Sequence, residues 1–463
     1  MNQSKMKFGT DGWRGIIAED FTFENVCKVA FANVEFFKKS PKRKNGIVVG
    51  YDARFLSREF AQIVANVFAE NNFKVIFSEH ICTTPMVSLM TKNFNAAFGI
   101  IITASHNPPQ YNGYKIKENF GGAAFPETIN QIEKKLSDKK IVLKNNFDYY
   151  LQRGKIAKVD FTKFYIDYIR TKIDISAIKK SKVKILHDSM FGAGMNIMQT
   201  ILDIEQIHNT YNPSFGGTNP EPIEKNLKEL ILFVKEKKND IGIATDGDAD
   251  RIGAIDEKGN FVDSHKIISL LLKYFVEEKK MRDEVVKSFS VSQMVDKQCK
   301  KYGLKLHITP IGFKHICKLM VEKNVLVGGE ESGGIGVSLH LPERDGIYIG
   351  LLLCEIMAKR KMKLSELVNE INEEFGKHFY DRIDLHLSEF EKKKIILLCN
   401  KFPKKIGEFK VEKVDTLDGY KFYVKNGWLL VRASGTEPLI RLYAEGDSRK
   451  KVEKLLKEFL PKK

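Results

Sequence analysis

Runs of apolar residues, many of them β-branched, alternate along the chain with longer stretches in which apolar residues recur at helical spacing. In the first 110 residues this pattern predicts a helix over 58–71 and strands over 46–50, 74–77 and 97–103. Strands that alternate with helices indicate α/β domains with mostly parallel sheets.

The same alternation returns twice further along the chain. A second cycle begins with an amphipathic helix over 161–173 and continues through a strand in KVKILHD and a strand–loop–strand segment, IGIATDGDADRIGAID. A third cycle runs from a helix over 265–278 through the strands VVKSFSV, LKLHIT and VLVGG to a helix over 348–360. The recurrence predicts three α/β units in succession.

The pattern changes after Phe375. The strand candidates FKVEKVDT, GYKFYVK, WLLVRAS and LIRLYAEG surround one helix, and a final amphipathic helix follows. This arrangement is typical of an α+β domain with an antiparallel sheet. A chain of 463 residues has room for three or four domains at about 100–200 residues each. We expect four, over residues 1–153, 154–256, 257–372 and 373–463.

The charge balance adds little to this picture. Lysine and arginine total 76 against 59 acidic residues, which gives a formal net charge of +17. Such a surplus suits nucleic acid, a membrane surface or small anionic substrates such as phosphates. The basic residues are spread along the chain in short runs mixed with acids, which is typical of solvated helix faces. We expect no nucleic-acid partner.

Cysteine usage and hydropathy bear on the compartment. The six cysteines are far apart and form no CxxC pair, which argues against a zinc knuckle or a disulfide framework. The N-terminal segment lacks the apolar core of a signal peptide. The longest apolar stretch, around 347–357, is broken by Glu355 and is shorter than the ~20 residues that span a bilayer. We expect a soluble cytoplasmic protein that does not contact a membrane.

The first segment that can carry chemistry is TASHNPP at 103–109, directly after the apolar run FGIII. A polar loop after a strand lies at the edge of the sheet where α/β proteins bind ligands. Ser105 is a candidate nucleophile, and His106 beside it is a candidate proton carrier. The alternative is an ordinary Asn-Pro turn, since a serine next to a histidine does not make a catalytic triad.

The second segment is TDGDADR at 245–251, between the runs IGIA and IGAID. Asp246, Asp248 and Asp250 alternate along an extended loop, so their carboxylates can converge on a hard divalent cation. An EF-hand is a rival interpretation, but its sixth position must be glycine and here is Arg251. A cluster of acids on the surface without a cation is a weaker alternative. Open coordination positions favour Mg²⁺ bound together with a phosphate.

Two further loops contain glycines and polar side chains. In GGEESGG at 328–334 a carboxylate and a hydroxyl can grip sugar hydroxyls, although a flexible hairpin gives the same pattern. In RASGTEP at 432–438, with Arg441 on the next strand, guanidinium groups, hydroxyls and free backbone amides can cradle a phosphate dianion. An ordinary turn with a surface arginine is the alternative there, and the Walker A spacing is absent from the chain.

The four loops come from four different predicted domains. Together they supply a nucleophile, a cation site, a sugar grip and a phosphate clamp. Such a set calls for a cleft where the domains meet, which is a usual place for a ligand.

In sequence and in order, these loops resemble those of the α-D-phosphohexomutases, the phosphoglucomutase/phosphomannomutase family. The matching segments are FGTDGWRG at 8–15, TASHNP at 103–108, DGDADR at 246–251, GEESGG at 329–334 and RASGTEP at 432–438. Lesser matches are YDAR at 51–54 and Thr84-Pro85. The resemblance covers nearly the whole chain. It implies a heart-shaped α/β enzyme with three related mixed α/β domains and a C-terminal α+β domain with an antiparallel sheet.

The resemblance also implies a role for each loop. Ser105 would hold and donate the phosphoryl group, with Mg²⁺ between phosphorylated Ser105 and the carboxylates of Asp246, Asp248 and Asp250. Glu330 and Ser332 would read the sugar hydroxyls. The phosphate that is not transferred would be held by Arg432, Ser434, Gly435 and Thr436, with Arg441 beside them. Positive charge in the cleft would come from Arg14, Lys115 and Arg251.

The implied reaction interconverts hexose 1-phosphate and hexose 6-phosphate, of glucose or mannose, through a phosphoserine enzyme and a hexose 1,6-bisphosphate. The general acid/base stays open between His106 and Lys115. Arg344 stands where the family often has a lysine and is a poor proton donor, so we expect it to contact a phosphate or a sugar oxygen. The loop over 328–334, which we call the sugar loop, ends in Gly334 where several bacterial relatives have histidine, and the glycine removes a possible substrate contact.

Other functions remain as alternatives. A phosphoglucosamine mutase shares the FGTDG start, but GEESGG is more similar to the glucose/mannose branch. A sugar-phosphate binding protein without turnover is more remote, because a binder needs neither the serine nor all three aspartates. A monomer and a homodimer both agree with the sequence.

Overall fold

Four β-sheets follow one another along the chain in the computed structural model, which describes residues 6–9, 12–433 and 439–460. The sheets contain six, five, four and six strands among these residues. We name the domains first to fourth after the sheets around which they are built. This confirms the predicted class, three mixed α/β domains followed by a domain with an antiparallel sheet.

The first domain places its strands in the order β1-β5-β4-β2-β3-β6. β1 and β5 are antiparallel to their neighbours, and the remaining pairs are parallel. The strands are β1 (Trp13–Ile16), β2 (Ile47–Tyr51), β3 (Val75–Ser78), β4 (Phe98–Ile102), β5 (Tyr111–Glu118) and β6 (Ile156–Val159). The helices are α1 (Phe23–Phe37), α2 (Ser57–Glu70), α3 (Thr84–Asn93), α4 (Pro126–Glu133) and α5 (Phe147–Gln152).

The second domain has the strand order β11-β10-β9-β7-β8, with an antiparallel edge at β10 and β11. Its strands are β7 (Ile185–Asp188), β8 (Glu205–Ile207), β9 (Ile241–Thr245), β10 (Ile252–Asp256) and β11 (Phe261–Val262). Its helices are α6 (Phe161–Lys172), α7 (Ile175–Ser181), α8 (Ile197–Leu202) and α9 (Lys228–Glu236).

The third domain has the order β13-β12-β14-β15, and only the last of these pairs is antiparallel among the residues that the structure describes. Its strands are β12 (Glu284–Ser288), β13 (Leu306–Thr309), β14 (Val325–Gly329) and β15 (Ile335–Val337). Its helices are α10 (Ser264–Glu277), α11 (Gln293–Tyr302), α12 (Phe313–Glu322), α13 (Gly346–Arg360) and α14 (Leu364–Phe375).

The fourth domain is an antiparallel sheet in the order β16-β21-β20-β19-β18-β17. Its strands are β16 (Phe379–His386), β17 (Lys405–Ile406), β18 (Phe409–Asp415), β19 (Tyr420–Val424), β20 (Gly427–Ala433) and β21 (Leu439–Gly446). Its helices are α15 (Glu389–Asn400) and α16 (Arg449–Lys457).

The elements near the predicted domain boundaries extend a little past them. β6 belongs to the first sheet although it follows residue 153. β11 pairs in the second sheet although it follows residue 256, and α14 runs through residue 372. The boundaries themselves remain predictions.

The core joins the first three domains more closely than the fourth. One buried apolar cluster takes residues from all three, including Met86 on α3, Ile243 on β9 and Leu271 on α10. The fourth domain buries a cluster of its own between its sheet and α16. Among the described residues, no helix combines the length and the apolar character needed to cross a bilayer.

Candidate active site

The loop that carries Ser105 leaves the end of β4 and turns back into β5. Ser105 is buried and has a φ of +54°, a left-handed conformation that a residue with a side chain adopts only when its surroundings hold it there. The Thr103 hydroxyl oxygen accepts a hydrogen bond from the Ser105 N–H at 2.9 Å. This turn directs the Ser105 hydroxyl towards the loop over 245–251 in the second domain, which we call the metal loop.

Arg54 holds the same loop from behind. Its fully buried guanidinium donates hydrogen bonds to four backbone carbonyls, at 2.6–3.0 Å, those of Ser105, Asn107, Pro108 and Tyr111. The buried Asp52 carboxylate lies 3.3 Å from Arg54 Nε and balances its charge. Sequence reasoning gave Arg54 no role, and the only signal was the lesser match YDAR.

The three aspartates lie in the turn between β9 and β10, all fully buried. One oxygen from each of Asp246, Asp248 and Asp250 lies within 4.8 Å of the other two. Ser105 Oγ donates a hydrogen bond to Asp246 Oδ2 at 2.6 Å, so the structure brings the predicted nucleophile and metal ligands together. Gly247 permits this approach, because a Cβ there would lie 2.3 Å from the Ser105 carbonyl oxygen.

The strands that flank this turn exclude the EF-hand interpretation. An EF-hand loop connects two helices, whereas this loop joins the antiparallel strands β9 and β10. Thr245 pairs with Ile252 at the loop end of these strands, and Ile241 pairs with Asp256 at the far end. The donor set fits a hard divalent cation. Asp248 Oδ1 and Asp250 Oδ1 are buried without a hydrogen-bond partner among the described residues, and carboxylate oxygens are the ligands that Mg²⁺ prefers.

Two basic side chains compensate the charge of this cluster. Lys115 Nζ lies 2.7 Å from Asp248 Oδ2 and 2.9 Å from Asp250 Oδ2. Arg344 Nη2 lies 2.6 Å from Asp250 Oδ2. Burial alone would raise the pKa of Asp248, but Lys115, a hydrogen bond from Thr84 and Arg344 hold it below its usual value. Burial and the charges of Asp248 and Asp250 raise the pKa of Asp246 well above its usual range.

Thr84 is a second residue that sequence reasoning left without a role. Its hydroxyl donates to Asp248 Oδ2 at 2.5 Å, and its backbone N–H donates to the Asp248 carbonyl at 3.0 Å. Thr84 begins α3, so the first domain fixes the metal loop of the second. The signal in the sequence was the match at Thr84-Pro85.

Further cations surround the Ser105 loop. Arg14 Nη1 donates to Asn107 Oδ1 at 2.6 Å, and the Arg251 N–H donates to Asp246 Oδ1 at 3.0 Å. His106 Nδ1 lies 3.4 Å from Ser105 Oγ. Burial, together with the positive charges of Arg251, Arg14 and other basic groups, lowers the pKa of His106 well below its usual value, so its imidazole is neutral.

The sugar loop lies between β14 and β15. Burial raises the pKa of Glu330 to about 7. Its Oε1 accepts a hydrogen bond from the Gly312 N–H at 3.0 Å, and its Oε2 lies 3.7 Å from Arg344 Nη1. Arg344 therefore connects the metal loop to the sugar loop. Ser332 is half-buried in the same turn.

Gly334 leaves room for Arg344. A Cβ at position 334 would lie 2.5 Å from Arg344 Cδ, so a larger side chain there would displace the arginine. Arg344 also packs with its guanidinium 5.2 Å from the centre of the Phe313 ring. The loop ending in glycine and the arginine at 344 thus depend on each other.

The predicted phosphate clamp is described only in part. Arg432 at the end of β20 and Arg441 on β21 are cross-strand partners. Arg432 Nε donates to Asp418 Oδ1 at 2.9 Å. Ser434, Gly435 and Thr436 lie outside the described residues.

Comparison with known proteins agrees with this architecture. Family models of phosphoglucomutase/phosphomannomutase match the chain in four parts, alpha/beta/alpha domain I over 5–141, domain II over 163–259, domain III over 263–375 and the C-terminal domain over 392–462. A phosphoglucomutase/phosphomannomutase of Thermococcus kodakarensis is 32% identical over 456 residues, covering 97% of this chain and 96% of the relative.

Two other relatives bear on substrate and fold. A phosphoglucosamine/phosphogalactosamine mutase of Sulfurisphaera tokodaii is 31% identical over 462 residues and covers 97% of both chains. The crystal structure of a putative phosphomannomutase from Thermus thermophilus superposes with a TM-score of 0.87 at 32% identity, covering 98% of each chain.

The fold, the Ser105 hydroxyl beside the buried aspartates and the matching family models define a phosphotransferase of the isomerase type. The chain belongs to the phosphoglucomutase/phosphomannomutase family, and it is a phosphohexomutase.

Proposed function

We propose that this enzyme interconverts hexose 1-phosphate and hexose 6-phosphate, of glucose or mannose, through a phosphoserine at Ser105 and a hexose 1,6-bisphosphate. The observation that carries the proposal is the 2.6 Å hydrogen bond between Ser105 Oγ and Asp246 Oδ2. It joins the hydroxyl that would carry the phosphoryl group to the acidic cluster that would hold Mg²⁺.

In the first half-reaction the bond between phosphorus and Ser105 Oγ breaks, and a bond forms between phosphorus and the free hydroxyl oxygen of the sugar phosphate. The hydroxyl proton goes to a base, and Ser105 is left as an alkoxide that takes up a proton. Turning the bisphosphate end for end and running the same step backwards returns a phosphoryl group to Ser105. The protein mainly positions the groups in line and neutralises charge on the phosphoryl group.

The cation site suits this chemistry. Asp246, Asp248 and Asp250 would hold Mg²⁺, which when bound neutralises charge on the phosphoryl oxygens. Lys115 Nζ and Arg344 Nη2 form ion pairs with carboxylate oxygens of this cluster, at N–O distances of 2.6–2.9 Å. Both side chains are thereby kept beside the place where the phosphoryl group moves.

Two side chains can carry the sugar hydroxyl proton. His106 offers a neutral imidazole, which can accept the proton, 3.4 Å from Ser105 Oγ. Lys115, beside Asp248 and Asp250, can accept the proton only in its neutral amine form, while its ammonium form can donate a proton to the Ser105 oxygen. Lys115 also balances the charge of Asp248 and Asp250, so a lower kcat alone does not assign the proton. The proton is assigned to the residue whose replacement, His106→Asn or Lys115→Met, removes one limb of the pH profile of kcat.

The substrate is bound at both ends. Glu330 and Ser332 would read the sugar hydroxyls, and Arg344 would contact a phosphate or a sugar oxygen. Arg432 and Arg441, with Ser434, Gly435 and Thr436, would hold the phosphate that is not transferred. Because the substrate binds in two orientations, the site must accept more than one arrangement of hydroxyls.

A second candidate substrate is glucosamine phosphate. It is favoured by the 31% identity to the phosphoglucosamine/phosphogalactosamine mutase over 97% of both chains. Glu330 places a buried carboxyl group in the sugar loop, and such a group can pair with a substrate ammonium.

A substrate panel tests the proposal. With Mg²⁺ and a trace of glucose 1,6-bisphosphate, the enzyme is expected to convert glucose 1-phosphate or mannose 1-phosphate with a higher kcat/KM than glucosamine 1-phosphate. Ser105→Ala is expected to abolish turnover, and Ser137→Ala, an exposed serine in the same domain, to leave it unchanged. A preference for glucosamine 1-phosphate would select the second candidate, and no turnover of any of the three would contradict the function.

A further inference from the structure

The sheet of the fourth domain carries a row of charged residues across three strands. Asp384 on β16 pairs with Arg441 on β21, which pairs in turn with Arg432 on β20. Arg382 is two residues before Asp384 and therefore lies on the same face of β16. Its Nε is 3.3 Å from Asp384 Oδ1. The arginine face thus extends from Arg432 to Arg382.

At the Arg382 end this face meets the second domain. Arg382 Nη2 lies 3.6 Å from Glu221 Oε1, and Arg251 Nη1 lies 3.9 Å from the same oxygen. One carboxylate therefore stands between two guanidinium groups from different domains. Both distances exceed that of a hydrogen bond, so these are loose ion pairs that an incoming anion can replace.

Arg251 has hydrogen-bonding capacity left for such an anion. Its Nε is buried without a hydrogen-bond partner among the residues that the structure describes, and the nearest carboxylate oxygen paired with it, Asp250 Oδ1, is 4.0 Å away. A phosphate presents several acceptor oxygens and can bind two guanidinium groups at once, with shorter bonds than Glu221 makes here.

The pair also lies beside the reacting serine. Arg251 ends the loop that carries the aspartates, and its backbone N–H donates to Asp246, which accepts the hydrogen bond from Ser105. The positive charges of both Arg251 and Arg382 contribute to the lowered pKa of His106, next to Ser105. The two guanidinium groups therefore act on the place where the phosphoryl group is transferred.

We propose that Arg251 and Arg382 form a phosphate-binding subsite across the second and fourth domains, and that Glu221 occupies it as a placeholder until a phosphate monoester displaces the carboxylate. The inference rests on the proposed function and extends it. The subsite holds a phosphate of the bisphosphate while the sugar turns.

Calorimetric titration of the full chain with glucose 1,6-bisphosphate, in EDTA to prevent turnover, tests the subsite. Arg382→Gln is expected to weaken binding about tenfold or more, the typical effect of losing one charged hydrogen bond to phosphate. Glu221→Gln removes the competing carboxylate and keeps both arginines, so it is expected to tighten binding severalfold. Arg449→Gln, an exposed arginine on α16, is the matched control and is expected to stay within twofold of the wild type.

The two variants show whether Glu221 is a carboxylate that phosphate displaces or a group that only holds the two arginines in place. If Glu221 merely holds the arginines in place, Glu221→Gln weakens binding or leaves it unchanged, and the placeholder is overturned. If Arg382→Gln binds within twofold of the wild type, the subsite itself is overturned. Thermal unfolding of each variant verifies that it is folded.

Inorganic phosphate as a second probe separates this inference from the proposed function. It carries no sugar, so the same order of affinities, Glu221→Gln above wild type above Arg382→Gln, is expected whether or not the enzyme turns over hexose phosphates. Loss of this order with active enzyme refutes the subsite alone. Preservation of the order with enzyme that turns over no hexose phosphate refutes the proposed function alone.

Discussion

Asp248 shows how a single carboxylate serves two partners. One of its oxygens accepts hydrogen bonds from Thr84 and Lys115, while the other is buried without a hydrogen-bond partner among the described residues. A buried carboxylate oxygen in this position is costly unless a cation binds it. The arrangement is stable when the metal site is filled.

Replacing Asp248 tests this interpretation of the metal site. Asp248→Asn keeps the shape of the side chain but removes one negative charge, so we expect Mg²⁺ affinity to fall about tenfold or more and turnover to fall by orders of magnitude. Mg²⁺ titration calorimetry and the mutase assay measure the two effects, with the exposed Asp138→Asn as control. Unchanged Mg²⁺ affinity in Asp248→Asn would place the ion elsewhere.

Glu330 predicts a pH dependence of stability. Its pKa of about 7, raised by burial from the usual 4.5, means that between these values the folded protein keeps a proton that the unfolded chain has lost. The free energy of unfolding therefore falls as pH rises through this window, by about 3 kcal/mol in total at ~1.4 kcal/mol per pKa unit.

Glu330→Gln does not titrate and lacks this loss. We expect the unfolding free energy of the variant, relative to the wild type, to increase from about pH 4.5 to about pH 7 and to level off above that pH. Denaturant unfolding at several pH values measures the difference. Parallel curves for the two proteins would show that Glu330 is ionised in the folded state throughout.

At the scale of elements, strands with apolar runs were predictable from the sequence, whereas the polar but buried strand β5 was not. β4 and β9 are buried at every position, and their apolar sequences predict strands. β5 is buried at six of its eight positions, yet its sequence YNGYKIKE is typical of a solvated segment. Its lysines, Lys115 and Lys117, are buried because carboxylates from other domains pair with them, which local sequence does not reveal.

The candidate site divides in the same way. Ser105 and the three aspartates lie together in the structure, and each of their motifs follows the carboxyl end of a buried interior strand. Arg54, Thr84, Glu221 and Arg382 were not singled out as site residues. Their partners lie on distant segments, so their roles depend on how loops and domains are placed against each other.

Because Arg54 holds the Ser105 loop, we expect its replacement to lower both stability and kcat. Arg54→Met removes the donors to four carbonyls and leaves Asp52 buried without its cation, which typically costs about 3–5 kcal/mol. Since Arg54 touches the loop and not the substrate, we expect kcat to fall much more than KM changes. Steady-state kinetics and thermal unfolding measure both, with exposed Arg58→Met as control. An unchanged kcat would mean that the loop keeps its shape alone.

At the scale of the whole molecule, a buried ion pair fastens the first domain to the third. Lys117 Nζ on β5 lies 2.6 Å from Glu343 Oε2, and both side chains are fully buried. The Ser88 hydroxyl on α3 donates to the same oxygen at 3.2 Å. Glu343 directly precedes Arg344 in the chain. The ion pair therefore also positions the arginine that connects the metal loop and the sugar loop.

Removing one charge of this ion pair is expected to destabilise the fold more than removing both charges. Lys117→Met leaves the buried Glu343 without its lysine, although Arg344 Nε stays 3.7 Å from Glu343 Oε1. Breaking a buried pair in this way typically costs about 3–5 kcal/mol, whereas Lys117→Met combined with Glu343→Gln removes both charges of the pair. We therefore expect the double variant to unfold at a higher temperature than Lys117→Met alone. Calorimetric unfolding of the single and double variants decides this, and a double variant less stable than Lys117→Met would contradict the account.

The central claim is that Ser105 carries the phosphoryl group beside the aspartate cluster. Its most direct test is phosphopeptide mass spectrometry of enzyme treated with glucose 1,6-bisphosphate and Mg²⁺, followed by a chase with glucose 1-phosphate. We expect a single phosphoryl group on the peptide containing Ser105, lost to the sugar phosphate at least as fast as turnover, and neither label nor activity in Ser105→Ala. Phosphate on another residue, or normal turnover by Ser105→Ala, would contradict the claim.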